Sequence, residues 1–101
     1  MAGYPIILDL TGRLAVVVGL GSVGRRKAYR DDHLNGAMLA FAAATPEVNR
    51  AVVADARLRN MLVNSACEPS SGDFSVPAIW RSGPLLMTVS TSGGSPLLAA
   101  T

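Results

Sequence analysis

The sequence predicts an α/β fold, in which a truncated Rossmann-like parallel sheet of order β-α-β-α-β is followed by a β-hairpin. The first supporting observation is an apolar run that ends in a glycine-rich turn, residues 19–24, and leads into a helical pattern. The second is a pair of later apolar runs of strand length, separated by another helical pattern. The third is composition: 50% of the residues are hydrophobic but only 5% are aromatic, so aliphatic side chains must form the core, as in many parallel sheets.

The first predicted strand covers residues 13–18 and ends in a turn with the spacing G-x-G-x-x-G. In this spacing the first glycine permits a tight turn, the second lets the backbone approach a pyrophosphate, and the third allows close packing of helix on strand. A helix from Ser22 to about Arg30 would then offer free N–H groups and a partial positive charge to the phosphates. The turn therefore indicates nucleotide binding. The expected contacts are Gly19, Gly21, Ser22, Val23 and Gly24.

The middle of the chain predicts a second strand. Residues 31–36 are polar and end in Asn-Gly, which is typical of a loop. Residues 37–44 are continuously apolar, as in a strand that is buried on both of its faces. Helices before and after this run complete the order β-α-β-α-β, which implies parallel strands and right-handed crossovers.

A second helix should run from Pro46 to about Asn60. Thr45 is a favourable N-cap, and proline suits the first helical position. Apolar side chains recur every four residues along one stripe of this helix, at Val48, Val52 and Ala56. The third predicted strand, residues 61–64, follows directly.

The remainder of the chain predicts the β-hairpin. Its strands, residues 74–80 and 85–91, flank a turn-forming Arg-Ser-Gly-Pro sequence. We therefore divide the chain into a nucleotide-binding domain, residues 1–72, and a hairpin segment, residues 73–101. A lone hairpin is marginally stable in water, and this one carries more apolar surface than it can hide. This favours a homodimer formed through residues 74–91.

Composition excludes several classes of function. Cys67 is the only cysteine and His33 the only histidine, so neither an intrachain disulfide nor an all-protein metal site is expected. The net charge of +2 does not suggest nucleic-acid binding. No apolar run approaches the roughly 18 residues of a membrane span, and the N-terminus shows no secretory signal. The resulting expectation is a cytoplasmic protein without nucleic-acid or membrane partners.

Short motifs along nearly the whole chain occur in an order that is more specific than the glycine turn alone. In sequence, the motifs are Tyr4-Pro5-Ile6, Leu8-Asp9-Leu10, Val18-Gly19-Leu20-Gly21-Ser22-Val23-Gly24, Arg26-Lys27-Ala28, Ala43-Ala44-Thr45, Val48-Asn49, Leu62-Val63-Asn64, Asp73-Phe74, Pro77-Ala78-Ile79, Ser90-Thr91 and Ser95-Pro96. This order resembles the NAD-dependent precorrin-2 dehydrogenase family, which includes the N-terminal part of siroheme synthase.

The resemblance implies oxidation of precorrin-2 to sirohydrochlorin with NAD as the hydride acceptor. It also implies a Rossmann domain followed by a segment that builds a dimer interface. Thr45 would line the nicotinamide side of the site, and Thr91 matches a hydroxyl residue near the substrate cleft of relatives. Cys67 or Asp73 would face the tetrapyrrole.

One departure from the family pattern is a shortening. The family carries two more strands and a helix before the strand that matches residues 37–44. In a doubly wound sheet these two strands lie on one side of the first strand, so their loss leaves the order 1-4-5 with the first strand at an edge. Because the lost second strand normally faces the adenosine ribose, NAD binding should be weakened.

A second departure concerns the catalytic acid. The family's catalytic aspartate falls at Cys67 in this chain, and a thiol is a poorer base than a carboxylate near neutral pH. Glu68 and Asp73 are nearby acids that could substitute for it. The alternative to an active enzyme is therefore a catalytically silent relative that only binds nucleotide or self-associates. A further alternative is a shortened chain that folds only by pairing its first strand with another chain.

A different strand register is also open. If residues 37–44 were the second strand of an ordinary Rossmann domain, Glu47 would be the ribose-binding acid. Glu47 lies 26 residues after Gly21, which is long against the usual interval of about 20. It also lies in a predicted first helical turn, so we prefer the family register.

Overall fold

A computed structural model describes residues 3–19 and 29–90 of the chain. Two compact units emerge: one is Asp9–Ser75, and the other includes residues 3–8 and 76–90 of the described chain. The predicted first helix falls on residues outside this description except at its end, where Tyr29 and Arg30 are not helical. The helix start expected at residue 97 also lies outside it.

The larger unit contains a three-stranded parallel sheet of order β1-β2-β3. Its strands are β1 (Leu14–Gly19), β2 (Ala37–Ala43) and β3 (Leu62–Ser65). The apolar run of β2 lies in the centre, as the prediction of a strand buried on both faces required. The predicted α/β class is confirmed, with strand boundaries shifted by a single residue.

Helix α1 (Pro46–Leu58) connects β2 to β3 and begins as the sequence predicts. The Thr45 Oγ1 accepts a hydrogen bond from the Val48 N–H at 3.2 Å, which satisfies one of the free donors of the first turn. The helix ends two residues before the predicted Asn60, because Asn60 has a left-handed φ of 54°. Asparagine tolerates this conformation, which is common directly after a helix.

The core of the larger unit lies between α1 and one face of the sheet. Its buried members are Leu34, Ala40, Ala42, Val52, Ala56, Met61 and Val63. The two alanines of β2 leave room for the helix to approach the sheet closely. Asn49 is buried beside Val52 and Ala56, whereas Val48, which we predicted on the buried stripe, is only half-buried.

The segment between Tyr29 and β2 is ordered, and the prediction of a loop there was wrong in part. A short 3-10 helix (Asp31–Leu34) places Leu34 in the core with no exposed surface. The Tyr29 hydroxyl donates to the Asp55 carboxylate of α1 at 2.8 Å. Partial burial and the neighbouring Asp55 raise the pKa of Tyr29. The short connection is therefore packed against α1 rather than left in solvent.

The opposite face of the sheet is covered in part by an aromatic pair. Phe41 of β2 meets Phe74 edge-to-face, with ring centroids 5.4 Å apart. Phe74 was predicted to begin the first hairpin strand, but it belongs to the irregular segment that follows β3.

The smaller unit contains the antiparallel hairpin of β4 (Ala78–Ser82) and β5 (Leu85–Val89). Its turn contains Gly83 at a φ of 56°, in the left-handed region that favours glycine. The strands are shorter than the predicted ranges, while the hairpin itself is confirmed. Within residues 3–19 and 29–90, no helix is long and apolar enough to cross a membrane.

Candidate functional site

The carboxyl ends of the three parallel strands define the candidate site. Gly19 at the end of β1 lies beside Ala43 at the end of β2, and Ser65 ends β3. Ligands of open α/β sheets bind outside this edge. A Cβ placed on Gly19 would meet only the Ala43 carbonyl oxygen, at 4.0 Å, among the described atoms. Among the described residues, small side chains therefore leave the ends of β1 and β2 uncrowded.

Thr45 lies at this edge, between the end of β2 and the first turn of α1. Its hydroxyl oxygen accepts from the Val48 N–H, and its half-buried side chain keeps one O–H hydrogen for donation. The adjacent helix N-terminus carries a partial positive charge. Thr45 can thus donate a hydrogen bond to a carbonyl or amide oxygen of a bound ligand.

Asn49, in the first turns of α1, connects the two sides of the edge. Its side-chain oxygen accepts from the Ala44 N–H at 2.8 Å, and its amide nitrogen donates to the Ala44 carbonyl at 3.4 Å. The same nitrogen donates to the Cys67 Sγ at 3.1 Å. Asn49 is itself 2% exposed, so its carboxamide is buried although its Cys67 partner is exposed. One carboxamide therefore joins the end of β2 to the segment after β3.

Cys67 is exposed at this edge, two residues beyond the end of β3. Its Sγ accepts from Asn49, which also bonds Ala44, so Cys67 lies near the end of β2. Its role toward a ligand stays a prediction. The neighbouring Glu68 forms an ion pair with Arg50 at 3.6 Å. Its backbone N–H donates to the Ser65 hydroxyl at 3.3 Å.

Asp73 has a different environment. One carboxylate oxygen accepts from Arg57 at 3.0 Å, and the other accepts from the Val63 N–H at 3.0 Å. The Asp73 N–H donates to the Val63 carbonyl at 2.7 Å. Together with Arg57 and Leu62, Asp73 lines an open recess of about 310 Å³ near the start of β3, at the opposite end of the strand from Cys67. These contacts support a structural role, and proton handling by Asp73 stays a prediction.

The remaining predicted site residues lie outside the described chain. They are Gly21, Ser22, Val23, Gly24 and Thr91. Sequence reasoning singled out Asn49 only as part of a family motif and missed its hydrogen bonds. The available signal was its spacing: Asn49 precedes Val52 and Ala56 by three and seven residues, which places a polar side chain on the apolar stripe.

Comparison with known families gives a match over more than half of the chain. Residues 25–78 match the model of a family described as "Putative NAD(P)-binding". The match begins directly after the glycine-rich turn, so it rests on the parts of the chain from the first predicted helix to the start of β4.

Siroheme synthases of several bacteria are similar to this chain. The enzyme of Methylobacillus flagellatus is 46% identical over 72 residues, which cover 70% of this chain and 15% of the relative. That of Nitrosomonas europaea is 42% identical over 74 residues, which cover 72% of this chain and 16% of the relative. That of Nitrosomonas eutropha is 29% identical over 134 residues, which cover 95% of this chain and 28% of the relative. The resemblance to this family is thereby confirmed, although the chain spans less than a third of these relatives.

The alignment with the Nitrosomonas eutropha protein also bears on the predicted shortening. It extends over 134 residues although the chain has only 101, so the relative has residues within the matched region that have no counterpart here. Among solved structures, "SirC, precorrin-2 dehydrogenase" superposes with a TM-score of 0.68 and 24% identity. The match covers 96% of this chain and 65% of that one, and it confirms the fold.

Proposed function

The chain belongs to the NAD(P)-binding family that its residues 25–78 match, and we propose that it acts as an NAD-dependent precorrin-2 dehydrogenase-like protein. The observation that carries the proposal is the carboxyl edge of the sheet, where Gly19, Thr45 and Cys67 follow the three strands in order. In this family register, β2 and β3 correspond to strands 4 and 5 of the relatives. We also propose a cytoplasmic location, on the basis of the family resemblance.

The described part of the edge fits a dinucleotide. Gly19 adds no side chain beside Ala43, and Thr45 retains a hydroxyl donor at a helix N-terminus. NAD supplies a hydride acceptor when bound, and the protein supplies binding and orientation. The residues proposed to hold it are Gly19, Gly21, Ser22, Val23, Gly24 and Thr45.

The proposed substrate is precorrin-2, which loses a hydride and a proton on oxidation to sirohydrochlorin. The hydride goes to NAD, and a protein group or water takes the proton. Cys67 is the candidate at the carboxyl edge, since the Asp73 carboxylate is engaged by Arg57 and Val63. Thr91 is proposed to contact the substrate on the basis of the family resemblance. Because a thiol is a weaker base than a carboxylate near neutral pH, we expect slow turnover.

A homodimer is proposed through the hairpin. The cross-strand register places Trp80 opposite Met87, with Leu85 and Val89 on the same face. These four side chains are 42–57% exposed. A continuous apolar strip on a two-stranded sheet needs a cover in water, and a second copy of the strip would supply one of matching chemistry.

NAD titration by calorimetry, with light scattering on the same sample, tests the binding and the assembly together. We expect saturable binding between micromolar and low-millimolar NAD, and a mass of twice 10.5 kDa. The weak end of this range is expected because the strands that would flank the adenosine side are missing. A folded protein that binds no NAD would overturn the proposal.

Cys67→Asp tests the assignment of the catalytic position. We expect precorrin-2 turnover at least tenfold above that of the native chain, because a carboxylate is restored where the family has one. Cys67→Ser is the matched control, since it has similar size without a carboxylate, and it should not raise turnover. Equal rates for all three proteins would contradict the role of this position.

The second candidate function is nucleotide binding or self-association without catalysis. It is favoured by Cys67, which stands where the family has its catalytic acid. NAD binding without turnover, even in the Cys67→Asp variant, supports binding alone. A dimer without NAD affinity supports an assembly module.

A further inference from the structure

Asn49 makes more hydrogen bonds than a helix needs at this position. The first turn of α1 is already capped by Thr45, which accepts the Val48 N–H. Asn49 is one of only two buried polar side chains, with Ser65, among the core residues of the described chain. A buried carboxamide destabilises a protein unless its donor and acceptor groups are paired. Here both ends are paired, outside the helix that carries them.

The partners of Asn49 are specific. At Ala44 the chain has left β2, and the Asn49 carboxamide takes both the N–H and the C=O of that residue, as a neighbouring strand would. Thr45 is the next residue. On the other side, the Asn49 amide nitrogen donates to the Cys67 sulfur, 18 residues away in sequence. The network spans the β2–α1 turn and Cys67, two residues beyond the end of β3, and it uses no exposed group except the thiol.

We propose that Asn49 is a positioning residue, which fixes the Ala44–Thr45 turn and the Cys67 side chain relative to each other at the NAD-binding edge. This inference rests on the proposed function. Holding the Ala44 peptide sets the direction of the Thr45 hydroxyl, and holding Cys67 sets the thiol on the same edge. Small displacements of such groups have large effects on binding and rate, so a rigid support is valuable there.

Two variants test separately the hydrogen bond that the Asn49 side chain accepts and the two that it donates. Asn49→Leu keeps the number and branching of the side-chain heavy atoms but removes every side-chain hydrogen bond, whereas Asn49→Asp retains an acceptor for the Ala44 N–H and loses the two donated bonds. Val52→Ala, three residues along the same helix, is the control, because it removes buried methyl groups without touching the network. Nuclear magnetic resonance and NAD titration are performed under conditions where all proteins are folded.

We expect the Ala44 amide hydrogen to exchange at least tenfold faster in Asn49→Leu and within threefold of the native rate in Asn49→Asp and Val52→Ala. The Cys67 resonances should shift in both Asn49 variants and stay in place in Val52→Ala. The Kd for NAD should rise at least tenfold in Asn49→Leu and stay within twofold in Val52→Ala. The unchanged exchange, resonances and Kd of Val52→Ala distinguish positioning by Asn49 from general destabilisation.

Native-like NAD affinity in a folded Asn49→Leu protein would overturn the inference and leave the proposed function standing. Unchanged exchange at Ala44 would overturn it as well, and this measurement needs no NAD. If the native chain itself binds no NAD, the proposed function fails, and the positioning role falls with it. If neither Asn49 variant folds while Val52→Ala does, the network is a folding element and the inference is overturned.

Discussion

The two lateral edges of the three-stranded sheet are protected to different extents. Along β3, the Asp73 backbone and carboxylate take both the C=O and the N–H of Val63. Along β1, the described chain provides no partner other than β2, and Leu14 and Val17 are 51% and 67% exposed. One edge is closed by its own chain, and the other is open over the described residues.

Close packing accompanies the hydrogen bonds at the β3 edge. A Cβ on Gly72 would lie 3.0 Å from the Ser65 nitrogen and from the Val63 carbonyl oxygen, so the backbone of this segment runs directly against β3. Arg57 of α1 holds the segment from the other side through Asp73 and the Ser71 carbonyl. β1 lies at the opposite edge of the sheet, where the family resemblance implies two further strands. The shortening therefore affects an edge that nothing else in the described chain supports.

Removing the Asp73 carboxylate at the β3 edge should destabilise the fold more than replacing the exposed Val17 at the β1 edge. In Asp73→Ala the Val63 N–H loses its side-chain acceptor, and Arg57 loses its ion pair but keeps the Ser71 carbonyl, so we expect the free energy of unfolding to fall by about 2–3 kcal/mol. In Asp73→Asn an acceptor for Val63 remains and only the ion pair is lost, at a cost of about 1 kcal/mol or less. Urea unfolding at one fixed protein concentration measures both.

The control for this prediction is Asp32→Ala. Asp32 pairs with Arg30 at 3.1 Å, but both side chains are more than half exposed, so its loss should change the stability by at most about 0.5 kcal/mol. If Asp73→Ala is no more destabilising than Asp32→Ala, the Asp73 carboxylate contributes nothing to the closure of the β3 edge. Asp73 would then be free for the proton-handling role that the sequence also suggested.

Sequence reasoning was strongest where the determinants were local. The apolar run of β2 and the Thr45-Pro46 start of α1 each depend on a few neighbouring residues, and both were predicted correctly. The three-strand order was also predicted, from the family resemblance and the position of the missing strands. These features follow from chain periodicity and from the geometry of parallel crossovers.

Contacts between residues that are distant in sequence could not be predicted from local sequence patterns. Leu34 lies in a polar stretch that reads as a loop, and only its contact with the core shows that it is buried. The partners of Asn49 and Asp73 are 18 and 10 residues away, at Cys67 and Val63. Residue type alone left Asp73 open to both a structural and a catalytic role, and the fold supplies the Arg57 and Val63 contacts that favour the structural one.

The open β1 edge leads to the smallest expected effect on stability. Val17 lies on the face of β1 that points away from the core, so Val17→Lys should change the free energy of unfolding by no more than about 0.5 kcal/mol. Val16→Lys, on the core face of the same strand, should cost several times more, because Val16 packs against the buried cluster.

A lysine on an open edge also opposes pairing with another chain, so Val17→Lys should reduce any association that grows with protein concentration in sedimentation experiments. If Val17→Lys lowered the free energy of unfolding by more than about 2 kcal/mol, the prediction of an exposed Val17 would be wrong. Val17 would then be covered in solution, and a second chain paired along β1 would explain how the three-stranded sheet remains folded with β1 at its edge. The β3 edge would then be closed by its own chain and the β1 edge by a second chain.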